Sequence, residues 1–235
     1  MTTTRLTAVE LRKATDTRAG FWLQLATAGF TLAAVVILLL VDKSETTLED
    51  VLSVAVQPAG VLLPIVGILL VTSEWSQRTA LITFTLVPER LPVLAAKVVA
   101  SVLIALAATV AAIAVSLLGA AVAGAGFTLS AAMLGQMAVY TLTAMLTGVA
   151  LGALLQTSAP AIVASFAAPL AITALASIPQ LKSSLIWIDQ ARTLGPLTDD
   201  TLSATEWAHA GTTLIAWLAI PLAIGAWRLV RGEIR

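Results

Sequence analysis

The sequence contains no cysteine and a single histidine, His209. The lack of cysteine excludes disulfides, thiol catalysis and thiolate metal ligands. One histidine cannot build a histidine metal site within one chain. The formal net charge is zero. The chain therefore has no excess of basic residues with which to neutralise phosphates, and we expect no nucleic-acid partner.

Charge is scarce throughout the chain. Charged residues make up 11% of it and hydrophobic residues 59%, whereas soluble domains carry about 25% charged residues. Apolar runs of the length that crosses a bilayer core, about 20 residues, recur along the sequence. They predict an all-α, polytopic membrane protein, one transmembrane domain over 1–235. The six predicted spans are 21–41, 51–72, 98–123, 129–155, 159–178 and 209–229.

The basic residues indicate how these spans are oriented. Cytoplasmic flanks of membrane proteins are enriched in lysine and arginine, and an even number of spans places both termini on one side. We therefore predict an N-in, C-in topology, with the first span as the insertion signal. The scarcity of lysine beside arginine and the abundance of alanine and threonine indicate a bacterial source, so we expect a bacterial cytoplasmic membrane. The predicted inner basic residues are Arg5, Arg12, Lys13, Arg18, Arg78, Arg90, Lys97, Arg228, Arg231 and Arg235.

Three segments lie outside the predicted spans. Residues 6–18 are predicted to form a helix in the inner membrane interface, with Leu11 and Ala14 away from its charged face; a frayed cytoplasmic tail is the alternative. Residues 73–97 are predicted to be intracellular. Residues 179–208 are predicted to form an extracellular loop, with Trp187 and Trp207 at the outer interface.

The spans offer little chemistry of their own. They contain almost no ionisable side chain with which to bind a coupling ion, and no nucleophile–base pair. The chain also lacks the G-x-x-x-x-G-K-[ST] phosphate-binding loop. A transporter of this kind is either a passive channel or one subunit of a machine driven from outside. We expect no catalytic residue, cofactor or metal on this chain.

A few residues within the spans are candidates for a substrate pathway. Prolines bend helices and free backbone carbonyls, and polar side chains are rare at this depth. The alternative for the polar residues is hydrogen bonding between helices, and for the prolines it is irregular packing. The candidates are Gln57, Pro64, Gln136, Tyr140 and Phe166.

The segment 73–97 has an internal pattern. Glu74 and Arg78 are spaced i, i+4 in the order that favours a helical salt bridge. Apolar residues, Trp75 among them, recur on one face up to Leu86, and Pro88 follows. The spacing predicts an amphipathic helix over 74–86 at the inner membrane surface.

This pattern resembles a known family. Glu74-Trp75, Arg78-Thr79, Leu86-Val87-Pro88, Arg90 and Lys97 are similar to the loop after the second span in ABC-2-type permeases, the membrane subunits of one class of ATP-binding-cassette transporters. The six-span layout with a long outer loop before the sixth span is similar over the whole chain. Tyrosine or phenylalanine is more usual at the position of Trp75.

The resemblance implies a permease that pairs with a second, identical or related permease and with two cytosolic ATPase subunits, which bind ATP and Mg²⁺. Residues 74–86 would be the coupling helix, with Glu74, Trp75, Arg78 and Thr79 contacting the ATPase. Substrate would pass between the permeases along the second and fifth spans. We expect an exporter of drugs, peptides or lipid-like molecules that works by alternating access.

Two other classes of function remain open at this point. The first is a non-transporting immunity or assembly protein of the same fold. The second is a membrane-embedded enzyme, which the missing catalytic groups disfavour.

Overall fold

The structure, a computed structural model, describes residues 3–41, 46–76, 90–199 and 201–231. These residues form helices and short connections, with no strand among them. Six helices in this part of the chain are long and apolar enough to cross a membrane. The prediction of an all-helical protein with six candidate spans is therefore confirmed.

Within the described residues, the helices are joined by short connections. The helices Ala204–Leu214 (α9) and Ile220–Arg231 (α10) are joined by a π-helical turn at Ile215–Ala219 and together make the sixth candidate span, Ala204–Arg231. The 3₁₀ turn Gly195–Thr198 follows the short helix Gln190–Leu194 (α8). The helices are α1 (Thr3–Asp16), α2 (Arg18–Val41), α3 (Leu48–Ser76), α4 (Arg90–Ala123), α5 (Ala131–Leu155), α6 (Ser158–Leu175), α7 (Pro179–Leu185), α8 (Gln190–Leu194), α9 (Ala204–Leu214) and α10 (Ile220–Arg231).

Two helices run further than predicted, at the edges of the 73–97 segment. Helix α3 continues through Ser76, and α4 begins at Arg90 rather than at residue 98. The prediction placed charged residues outside the helices because charge is disfavoured in a membrane. In the structure the charges of Arg90 and Lys97 have partners within the protein, so the helix includes them. Residues 77–89 lie outside the described residues.

The centre of the bundle is the contact between α3 and α5. Gly148 of α5 lies directly against the backbone carbonyl of Pro64 in α3, and Gly152 faces the backbone of Ile68. Residues without a bulky side chain let two membrane helices approach closely. Buried methionines and aliphatic side chains of both helices fill the layers above and below this contact.

The first helix packs on this bundle instead of standing apart from it. Helix α1 buries Thr7, Glu10 and Ala14, which lie on one of its faces. Ala14 joins the core cluster that contains Leu63 and Ile104. The structure thus has a helix where the sequence predicts one, and its position relative to the membrane interface stays a prediction.

Candidate functional site

One end of the bundle carries a group of paired charges. Lys97 Nζ lies 2.7 Å from Glu10 Oε2 and donates a second hydrogen bond to the Leu70 carbonyl oxygen, 2.9 Å away. The other carboxylate oxygen of Glu10, Oε1, accepts from Lys13 Nζ at 2.7 Å. Glu10 is 4% exposed and Lys97 2%. A single ammonium group therefore joins α1, α3 and α4.

Because Glu10 and Lys97 are both buried, breaking their ion pair would strongly destabilise the protein. A charge removed from water is stabilised only when an opposite charge and further hydrogen bonds surround it. Glu10 and Lys97 supply the opposite charges to each other, and the Leu70 carbonyl takes another ammonium proton. The Lys13 side chain is 36% exposed, so its pairing with Glu10 is screened by water and contributes less.

The sequence interpretation missed this pair. Lys97 was predicted only as an inner basic residue and as part of the 73–97 motif, and no role was predicted for Glu10. One signal was present, since Glu10 lies four residues before Ala14 and so shares its helix face. The partner, 87 residues away, could not be read from spacing within a helix.

Two arginines at the same end of the bundle hold helix C-termini. Arg90, at the start of α4, donates to the Leu229 carbonyl of α10 at 2.6 Å. Arg228 of α10 donates to the Leu154 carbonyl in the last turn of α5. The last carbonyls of a helix lack partners within it and carry partial negative charge, which favours such contacts. Glu10, Lys97, Arg90 and Arg228 are here called the charged end.

The predicted ATPase-coupling residues lie beside the charged end or outside the described residues. Glu74 and Trp75 are in the last turn of α3, one turn beyond Leu70. Arg78 and Thr79 lie outside the described residues, as does most of the helix predicted over 74–86. The role of these four residues stays a prediction. The helices that flank them, α3 and α4, are held together by Lys97.

At the opposite end, three of the candidate pathway residues come together. Tyr140 Oη donates to Gln57 Oε1 at 3.3 Å, and Gln57 Nε2 donates to Thr198 Oγ1 at 3.2 Å. Gln136 Nε2 donates to the Leu197 carbonyl, and Gln136 Oε1 accepts from the backbone N–H of Leu202, both at 3.2 Å. Residues 195–202, of which 200 is not described, are here called the cap segment.

These contacts give the polar side chains a structural role. Gln136 is buried, with both ends of its amide bonded to the cap segment, and the Leu197 side chain is fully buried. Gln57 is exposed, and Tyr140 is partly exposed. The bond from Tyr140 to Gln57 joins two spans, whereas the other bonds fasten the cap segment to α3 and α5.

The remaining two pathway candidates lie elsewhere. Pro64 is buried against Gly148 between α3 and α5. Phe166 is 43% exposed on α6. Nothing described in the structure joins these two residues to the cluster around Gln136. Whether any of the five candidates contacts a substrate stays a prediction.

An apolar groove passes beside Gln57. It lies between α2 and α3 and has a volume of about 490 Å³. Its walls include Phe30, Ile37, Pro58 and Val61, and Gln57 supplies a polar group. Such a groove suits an apolar or amphipathic guest, because one amide can orient a molecule held mainly by hydrophobic contact.

A buried carboxylate fixes the helices next to the cap segment. Asp189 is fully buried, and its Oδ1 accepts from Thr173 Oγ1 at 2.8 Å and from the backbone N–H of Ala191 at 3.2 Å. Its Oδ2 lies 3.1 Å from Arg192 Nε, an ion pair without an aligned hydrogen bond. Thr193 and Thr213 are hydrogen bonded at 2.8 Å. Asp189 therefore ties α6 to α8 and, through α8, to α9.

No acidic or histidine side chains converge as a metal site within the described residues.

No protein-family model matches the chain, and no curated protein is significantly similar to it. The residues of this chain and the resemblance of its 73–97 segment are therefore the basis on which a function is proposed below.

Proposed function

We propose that this chain is the permease subunit of an ATP-driven exporter in a bacterial cytoplasmic membrane, with both termini in the cytoplasm. Its partners are two cytosolic ATP-binding-cassette ATPases, which carry ATP and Mg²⁺, and a second permease, identical or related. The observation that carries the proposal is the sequence motif Ser73–Lys97, which begins in the last turn of α3 and ends in α4, two helices long and apolar enough to cross a membrane.

The way those two helices are held supports this proposal. An ATPase that docks between α3 and α4 can move the spans only if these two helices are held firmly to each other and to the bundle. A flexible connection would absorb the movement of the ATPase. Lys97 of α4 bonds to the Leu70 carbonyl of α3 close to the point where α3 ends. Arg90 bonds α4 to the end of α10. Force applied between these helices therefore reaches three spans.

The pairing of charges also favours an external energy source. An ion-coupled transporter needs an ionisable group that can exchange its ion or proton during the cycle. Glu10 and Lys97 neutralise each other at 2.7 Å. Asp189 is paired with Arg192 and accepts two hydrogen bonds. These buried groups are engaged in holding helices, so ATP hydrolysis by a partner is the better source of work.

The groove and the cap segment are consistent with export of apolar or amphipathic molecules. We place the substrate route along α3, at the groove beside Gln57, and along α6, between two permeases. The cap segment is hydrogen bonded to α3 through Gln57 and to α5 through Gln136. Alternating access would require some of these bonds to break when the route opens outward.

Removal of the two predicted coupling charges tests the proposal. The double variant Glu74→Ala/Arg78→Ala is purified from its native membrane, and the co-purifying ATPase is measured by activity and identified by mass spectrometry. We expect the native chain to retain an ATPase and the double variant to lose most of it, at least tenfold. A tenfold loss corresponds to about 1.4 kcal/mol of binding free energy.

A matched control removes one acid and one base at the other end of the spans. Glu49 and Lys182 are both exposed, and Glu49→Ala/Lys182→Ala should retain the ATPase. If both double variants retain it equally, the coupling assignment is wrong. If the native chain binds no ATPase at all, the exporter proposal fails and an immunity or assembly role gains support.

A further inference from the structure

We infer that Glu10 and Lys97 are positioning residues that make helix α1 a moving part of the coupling machinery. In this arrangement α1 does not merely lie beside the bundle but is fastened to the ends of α3 and α4. The inference rests on the proposed function, because the coupling segment is what these two helices flank. It assigns a role to an ion pair that the sequence motif does not include.

The geometry of one nitrogen atom carries the argument. Lys97 Nζ contacts a carboxylate of α1 and a carbonyl of α3 while its own backbone belongs to α4. Both of these partners lie within 2.9 Å. A displacement of α3 relative to α4 must therefore stretch one of these bonds or move α1 with them.

Burial makes separation of α1 unfavourable. If α1 leaves, the ion pair between Lys97 and Glu10 is broken; with α1 in place, these two residues are 2% and 4% exposed. An uncompensated buried charge is strongly destabilising. Ala14 would also leave the cluster that it shares with Leu63 and Ile104. A helix held only by exposed ion pairs would lack this restraint, because such pairs contribute little.

Introduced cysteines measure whether α1 stays docked, since the chain has none of its own. Ala14→Cys reports on a position that is 5% exposed, and Val9→Cys on one that is 48% exposed. In permeabilised membranes a polar maleimide should label the Val9→Cys protein quickly and the Ala14→Cys protein slowly. Adding Glu10→Gln or Lys97→Met to Ala14→Cys should speed its labelling about tenfold, the factor that corresponds to about 1.4 kcal/mol.

Two further substitutions, also combined with Ala14→Cys, separate the charge of Lys97 from general damage. Lys97→Arg keeps a positive charge and should speed labelling no more than a few-fold. Arg12→Met removes an exposed positive charge from the same helix and should leave labelling unchanged. When Glu10→Gln and Lys97→Met are combined, their effects should be less than additive, because the two residues contact each other.

The functional readout is the amount of substrate moved per ATP hydrolysed by the reconstituted complex. Glu10→Gln and Lys97→Met should lower this ratio several-fold while the ATPase remains bound, and Lys97→Arg should restore most of it. If neither Glu10→Gln nor Lys97→Met changes the labelling of the Ala14→Cys protein, the pair does not hold α1 in place. Faster labelling with an unchanged transport ratio would overturn the role in coupling.

The two proposals fail in different ways. If no ATPase binds the native chain, the exporter proposal is wrong, but the labelling still reports whether Glu10 and Lys97 hold α1. If the ATPase binds and Glu74→Ala/Arg78→Ala releases it, the exporter proposal stands whatever the labelling shows.

Discussion

At Gly148, a single absent side chain sets how closely α3 and α5 approach. A Cβ at this position would overlap the carbonyl oxygen of Pro64, a backbone atom that cannot rotate away. Gly148 and Gly152 show the G-x-x-x-G spacing, which in an alanine-rich chain carries little information by itself. In the structure these glycines lie at the centre of the bundle.

Gly148→Ala should destabilise the protein. Overpacking of a tight contact typically costs about 1–3 kcal/mol, and here α3 and α5 would have to move apart. We expect a clear fall in the midpoint of thermal unfolding in detergent, followed by the intrinsic fluorescence of the tryptophans. Gly135→Ala in the same helix is the control, because a Cβ there meets nothing within 4 Å. Equal midpoints for the two variants would contradict the contact.

Hydroxyl groups account for much of the remaining polarity inside the spans. Thr109 and Thr141 are hydrogen bonded at 2.6 Å between α4 and α5. Thr31 donates to the Ala55 carbonyl at 3.1 Å and joins α2 to α3. Such bonds contribute about 0.6 kcal/mol each on average. Some residues that look like scattered polar positions in the sequence therefore link neighbouring helices, whereas others, such as Thr27 and Ser116, bond to a carbonyl of their own helix.

At the scale of elements, the cap segment depends on side chains from distant helices. Gln136 of α5 bonds to the backbone at Leu197 and at Leu202, and Gln136 itself is buried. Since these two bonds are to backbone groups, replacement of Gln136 leaves an N–H and a C=O of the cap segment without that partner. Each such group, when buried, costs about 1–3 kcal/mol.

Gln136→Leu should consequently loosen the cap segment. We expect amide hydrogen exchange of peptides that cover 195–202 to rise about tenfold, as the loss of about 1.4 kcal/mol would produce. Gln57→Leu should have a smaller effect, because Gln57 is exposed and bonds to one cap hydroxyl. Gln180→Leu, on an exposed position of α7, should leave exchange unchanged. If Gln180→Leu matches Gln136→Leu, the anchoring role of Gln136 is refuted.

Helix α6 differs from the other spans in how it is held. Of its residues only Ala161 is buried in the described structure. Hydroxyl bonds tie its two ends, Ser158 to Thr72 at 2.7 Å and Thr173 to Asp189 at 2.8 Å. Most of its surface is left exposed, which is consistent with the proposal that a second permease and the substrate lie along the fifth span.

At the scale of the whole molecule, orientation in the membrane is the property to measure. The charged end lies with α1, the start of α4 and the end of α10. Positive charge favours the cytoplasmic side. In intact cells an impermeant maleimide should therefore label the Lys182→Cys protein and leave the Val9→Cys protein unlabelled until the cells are opened. Labelling of the Val9→Cys protein in intact cells would reverse the predicted topology.

The length and apolar character of the runs in the sequence were enough to predict the six candidate spans, because fitness to cross a bilayer is a local property of each segment. The start of α4 was not determined in the same way. Arg90 and Lys97 were placed outside the span as charges, and their partners, Leu229, Glu10 and Leu70 among them, make a helix through them favourable. Residues 77–89, which contain much of the predicted coupling motif, lie outside the described residues. The coupling helix and its contacts with an ATPase therefore stay predictions.

The tertiary structure decided which rare polar residues meet. Glu10 accepts a hydrogen bond from Lys97, which is 87 residues away in the sequence, and Gln136 donates one to the carbonyl of Leu197, which is 61 residues away. The sequence shows that these side chains are unusual in an apolar chain, since an unpaired polar group in a membrane is costly. Their partners follow from how the helices stack around the contact between α3 and α5, and that stacking depends on close packing between segments far apart in the chain. Composition therefore determined that this chain has six helices fit to span a membrane, and packing determined which charges hold them together.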